Sequence, residues 1–126
     1  MSEAVTRKVR VRAEPRHHPE RSRPGAWFFS YTIHIENEGD EAVQLLSRHW
    51  IISDGFGQVH HVRGPGVVGE QPIIRPGDHF VYTSACPLPT AMGQMEGTFE
   101  MLLLDGGGRF DATIAPFALS DPAAEN

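Results

Sequence analysis

The most regular hydrophobic alternation in the chain lies between Trp27 and Asn37. Trp27, Phe29, Tyr31, Ile33 and Ile35 fall on one side of a period of two, with Ser30, Thr32, His34 and Glu36 on the other. That period belongs to a strand with one buried and one solvated face. Burying a large apolar side chain is worth about 1.5 to 3 kcal/mol, so this face can hold a second layer against it. A weaker alternation predicts a single first strand through Val5, Val9 and Val11, interrupted on its apolar face by Arg7. Residues 14–25 carry Pro15, Pro19, Pro24 and Gly25 and read as a loop.

Beyond the turn cluster Asn37-Glu38-Gly39-Asp40, residues 42–53 form an extended run of imperfect alternation. Either a bulge shifts its phase near Ser47-Arg48-His49 or the strand is covered on both faces. Asp54-Gly55-Phe56-Gly57 predicts a hairpin with residues 58–63 returning. Further strands are expected over 79–85, ended by Pro87 and Pro89, over 97–104, and through Phe110, Ala112 and Ile114 before Pro116. Phe117 and Leu119 would tuck against the body.

Seven to eight short strands separated by Gly, Pro and Asp turns, with no segment of helical period, predict an all-β chain. An immunoglobulin or fibronectin type III-like antiparallel β-sandwich suits that pattern best. At 126 residues the chain is read as a single domain over 1–126, with its core at about 5–119 and a loose tail at 120–126. No apolar run approaches the length of a membrane span, and Met1-Ser2-Glu3 lacks the layout of a signal peptide. With Cys86 as the single cysteine, these features predict a cytoplasmic protein without a disulfide. The net charge of −5 is unevenly spread: Arg7, Lys8, Arg10, Arg12, Arg16, Arg21 and Arg23 crowd the first 25 residues, and acidic residues dominate the rest. The basic residues read as a charged edge that resists sheet-to-sheet pairing. A nucleic-acid arm is disfavoured because the acidic body would repel the same backbone.

Three candidate sites emerge. Gly64, Gly66 and Gly69 spell G-x-G-x-x-G, but a phosphate site of that kind needs a helix to follow. Pro72 and Pro76 make residues 70–77 extended, so the glycines are expected to serve a turn, with a bare anion loop beside Arg63 as the lesser alternative. His17-His18 and His60-His61 are the histidine clusters, and neither has zinc-site spacing; neighbours on a strand point to opposite faces. Ser84 and Cys86 lack a G-x-S-x-G elbow or a base that the sequence positions. No catalytic residue and no cofactor are therefore expected. Phe56, Arg63 and the loop Gly64, Gly66, Gly69 remain as candidates for binding an unidentified protein partner. An exposed edge strand leaves room for a homodimer.

The ordered series Arg48-His49-Trp50, Gly64-Pro65-Gly66-Val67-Val68-Gly69-Glu70-Gln71-Pro72, Pro76-Gly77 and Tyr82-Thr83-Ser84 resembles the bacterial ApaG family over about residues 5–119. The resemblance implies a small cytoplasmic fibronectin-like sandwich. It also implies a genetic link to cobalt resistance and to cobalt or magnesium efflux, without an established biochemical activity and without catalytic residues to carry over. Related domains in eukaryotic F-box proteins and in a DNA-polymerase-interacting protein imply partner binding as the shared use. Direct binding of Co2+ or Mg2+, or of a phosphate or nucleotide at the glycine loop, stands as the alternative.

Overall fold

A computed structural model describes residues 1–124. Among the described residues the strands, in chain order, are β1 (Ser2–Thr6), β2 (Val9–His17), β3 (Trp27–Asn37), β4 (Val43–Asp54), β5 (Val59–Pro65), β6 (Ile73–Ile74), β7 (His79–Leu88), β8 (Met92–Leu103) and β9 (Arg109–Ser120). One sheet has the order β1-β2-β3-β7 and the other β5-β4-β8-β9, with β6 also paired to β4. All pairs are antiparallel. This is the expected all-β sandwich. The short β1 and β6 bring the strands above the seven to eight predicted.

The alternation of β3 survives intact, with Phe29, Tyr31, Ile33 and Ile35 buried between the sheets. At its end Asn37 is also buried; its amide donates to the carbonyls of Glu41 and Ile74 and its oxygen accepts from the Gly39 amide. These bonds satisfy a polar side chain that would otherwise be costly to bury. The opposing central strand, β4, changes phase once. Its register to β8 shifts between Leu45 and Ser47, so Leu46 is the bulge, just ahead of the position expected. Val43 and Leu45 face inward before it, and Arg48, Trp50, Ile52 and Asp54 after it.

Four expectations need correcting. Val5 and Val9 belong to different strands: Arg7 and Lys8, at φ +47° and +66°, form a tight turn between β1 and β2. The two positive φ values match the twist of a two-residue hairpin, and the Arg7 guanidinium rests 5.2 Å from the Phe110 ring centroid. The expected loop at 14–25 begins late, because β2 continues through Pro15 to His17. β7 likewise runs past Pro87 to Leu88, on the outer strand of its sheet, where proline deprives no neighbour of a donor. Pro116 does not end β9 either. Met95 pairs with Phe117 and Gly97 with Ile114, so Ala115-Pro116 is a bulge at which no ladder bond is required. Beyond it Phe117 and Leu119 are core residues of the strand. Ser120 ends β9 and the Asp121 amide donates to the Ala91 carbonyl, while 125 and 126 of the expected tail lie outside the described residues.

The two flanks of the sandwich differ. On one, Ser2 Oγ donates to the Ala115 carbonyl (2.7 Å) and the Thr113 amide donates to Thr6 Oγ1 (3.1 Å), so β1 lies against β9. The other flank lies between the outer strands β5 and β7. Between them the core is dominated by Trp50, which meets Tyr31, Phe99 and Phe117 at ring-centroid distances of 5.1, 6.1 and 6.0 Å, each near edge-to-face. Opposite Trp50 is Gly97, where a Cβ would stand 2.0 Å from the His49 carbonyl oxygen.

Two stability measurements check this description. Trp50→Ala is expected to cost about 3 to 5 kcal/mol in denaturant unfolding, with Trp50→Phe costing markedly less. Lys8→Gly removes a side chain from the left-handed region and is expected to stabilise by about 1 kcal/mol, seen as a higher unfolding midpoint at an unchanged denaturant slope.

Candidate functional site

The open flank holds a groove of about 420 Å3. Its floor is the inward face of β4 and β5, where Arg48, Trp50, Ile52 and Asp54 stand beside His60 and Val62; its wall is β7 from Ser84 to Leu88. Tyr31 and Met95 close the bottom. The groove exists because β5 extends the second sheet past the cover of the first, leaving Val62 40% exposed although it points inward. An apolar cleft with a few converging polar groups is the usual form of a binding site.

Those polar groups are not all satisfied. Among the described residues Trp50 Nε1, buried, has no hydrogen-bond partner, nor does Asp54 Oδ2. The other Asp54 oxygen accepts from the amides of Phe56 and Gln58 and so braces the hairpin tip. The positive φ of that hairpin falls at Gly57 and not at Gly55, and Phe56 stands 73% exposed. Burial raises the Tyr31 hydroxyl above its usual pKa, partly countered by Ser84. Burial also pushes the Cys86 thiol up to about 11, the opposite of what an attacking thiolate requires. Among the described residues no histidine hydrogen-bonds to Ser84 or Cys86.

Each glycine of the G-x-G-x-x-G run has a local steric reason. A Cβ at Gly64 would meet the Arg48 guanidinium at 2.9 Å, and one at Gly66 the Glu70 carbonyl oxygen at 2.1 Å. Gly69 has φ +80° and closes a tight turn in which Val67 and Glu70 exchange amide-to-carbonyl bonds of 2.8 and 2.9 Å. The Gly66 amide donates to the Leu46 carbonyl. The amides of Gly66, Val67 and Glu70 are thus spent on backbone carbonyls of the loop and of β4, and the chain proceeds to β6 with no helix behind Gly69. Val68, next to Gly69, has φ +43°, a strained value for a β-branched residue.

The histidine pairs separate. His17 Nε2 lies 3.2 Å from Ser22 Oγ, whereas His18 hydrogen-bonds Glu20 and Ser30. His60 faces the groove and His61 the outer side, where its Nδ1 lies 2.9 Å from His49 Nε2. Arg63 shares that outer side, in a shallow polar depression with His49, Glu100 and Asp111. Loss of solvation, then Arg63 and His61, hold the His49 pKa below its ordinary value. Among the described residues no three His, Cys, Asp or Glu side chains gather as a metal site would require. The groove itself was not predicted. Tyr31, Arg48, Val62 and Ser84 come from four strands, and their meeting depends on which strands lie at the sheet edges.

The ApaG domain family model matches residues 17–103. Protein ApaG from Anaeromyxobacter sp. (strain K) is 52% identical over 126 residues, covering 100% of both chains. Protein ApaG from Bradyrhizobium sp. (strain ORS 278) is 50% identical over 124 residues, covering 97% of this chain and 95% of the other. The crystal structure of an ApaA protein from Bordetella pertussis superposes with a TM-score of 0.87 at 46% identity, over 90% of this chain and 94% of that one. Sequence and fold agree, and the chain belongs to the ApaG family.

Proposed function

We propose that this ApaG domain is a non-enzymatic module that binds a protein partner along β5 and the groove beside it. One observation carries the reading: β5 is an outer strand with its second side unpaired among the described residues, next to a cleft lined by both sheets. The Gly66-to-Leu46 and Asp54-to-Gln58 bonds set the alternation of the ladder. His60, Val62 and Gly64 therefore bond to β4, while Val59, His61 and Arg63 turn their backbone groups outward. An edge of this kind accepts another strand readily, and extended segments use it for recognition. Phe56 and Val59, both exposed, add apolar surface at the hairpin.

The raised thiol of Cys86, and a Ser84 with no histidine bonded to it among the described residues, favour binding over catalysis. On this reading the family's link to cobalt and magnesium efflux runs through the partner, in the cytoplasm, with no metal held by the chain. The test is affinity capture from cells grown with and without cobalt, comparing the unaltered protein with Phe56→Ala and Arg63→Glu. Specific partners should drop about tenfold or more with both variants, while circular dichroism and the unfolding midpoint stay the same. Equal recovery from all three proteins would remove β5 as the contact surface.

A further inference from the structure

If β5 is a partner-binding edge, as proposed above, the chemistry around it narrows what the partner can be. From Gly55 to Gly69 there is no Asp or Glu, in a chain where acidic residues outnumber basic ones 16 to 11. The same stretch carries His60, His61 and Arg63. Arg48 adds to them from the neighbouring strand. Because Gly64 opposes Arg48 and has no side chain, the guanidinium lies across β5 toward its open edge. Its Nη1 donates to the carbonyls of Pro65 and Gly66 at 3.0 Å each, which fixes the group in place. Nε and Nη2 have no acceptor among the described residues.

Among the described residues no acid pairs with this cation, Glu70 in the adjoining turn included. Asp54 lies at the far end of the groove and is bound to the hairpin amides. Glu100 and Asp111 line a depression with Arg63 that Arg48 also borders, but among the described residues neither acid pairs with Arg48, and Glu100 instead meets Ser47 and Arg109. On the inner face of β5 the row therefore reads His60, Val62, then Arg48 over Gly64. A second copy of this chain is a poor occupant, since pairing two β5 edges antiparallel would bring His61 and Arg63 of both copies together with no acid between them.

We infer that the natural occupant is an extended acidic segment of another protein, added as a strand to Val59–Pro65. An apolar side chain of that segment covers Val62 at the mouth of the groove, and a carboxylate two residues away meets Nε and Nη2 of Arg48. The spacing comes from the pleat, in which residues two apart share a face. A planar guanidinium held by one nitrogen and open at two others suits a bidentate carboxylate.

The probe is a library of random linear peptides displayed and selected on the full chain, with titration of the enriched sequence and mapping of amide shifts. The expected consensus pairs Asp or Glu with a large apolar residue two positions away. Shifts should centre on residues 59–65, and affinity should fall as salt rises. His61→Pro removes an outward amide while leaving the bonds to β4, and Arg48→Met removes the charge. Each should weaken binding about tenfold or more, with the His61→Pro protein checked for an unaltered fold by its amide spectrum. Three results would overturn the inference: a consensus without an acid, shifts on another face, or no enrichment with folded protein. A non-acidic consensus that still maps to β5 would do so while leaving the binding-module reading in place. Dimerisation of the chain through β5, seen by light scattering and lost in His61→Pro, would instead assign the edge to a second copy.

Discussion

The contact on which the sandwich depends is the edge-to-face packing of Trp50 against Tyr31, with Phe99 and Phe117 on its other sides. Trp50 comes from the centre of one sheet and Tyr31 from the centre of the other. Aromatic pairs bury more area than aliphatic ones and add a geometric preference of about 0.5 to 1.5 kcal/mol, so the cluster sets the spacing of the sheets as well as holding them. It has a steric requirement. The indole sits opposite Gly97, where backbone comes so near that no other residue fits without a shift.

Around that cluster, two bulges decide which side chains face inward. Leu46 resets β4, so that Trp50 and the groove residues Arg48, Ile52 and Asp54 share the inward face. Ala115-Pro116 resets β9, so that Phe117 reaches Trp50. A slip of one residue exchanges the faces of a strand, so without these bulges β4 would turn Trp50 outward and His49 inward, and β9 would turn Phe117 and Leu119 outward. The asymmetry of the flanks comes from strand order. β1 seals one side against β9, while β5 extends the second sheet beyond β7 on the other and leaves a cleft.

The glycine loop shows how one spelling can serve different physics. In a dinucleotide site the glycines clear space for a pyrophosphate in front of helix amides. Here the cleared space is filled by the protein itself: Arg48 occupies it at Gly64 and the Glu70 carbonyl at Gly66. The Gly66 amide and the Gln71 side-chain amide both donate to the carbonyl of Leu46, the bulge residue of β4. Loop and bulge thus brace each other, and Arg48 is anchored at their junction through the carbonyls of Pro65 and Gly66.

The class of fold was legible in the residues alone, because period-two alternation and Gly, Pro and Asp turns are local signals that each strand carries independently. So was the extended path after Gly69, since Pro72 and Pro76 exclude a helix there, and so was the opposite facing of His60 and His61. Sequence reasoning fails where the signal is not local. Arg7-Lys8 turns without a glycine because the twist of two paired strands and the Phe110 ring hold it there. Proline at 15, 87 and 116 looks like a strand end until the edge or bulge that tolerates it is known. The groove belongs wholly to the packed molecule. Tyr31, Arg48, Val62 and Ser84 carry no shared pattern along the chain, and only the order of strands in two stacked sheets brings them to one open flank.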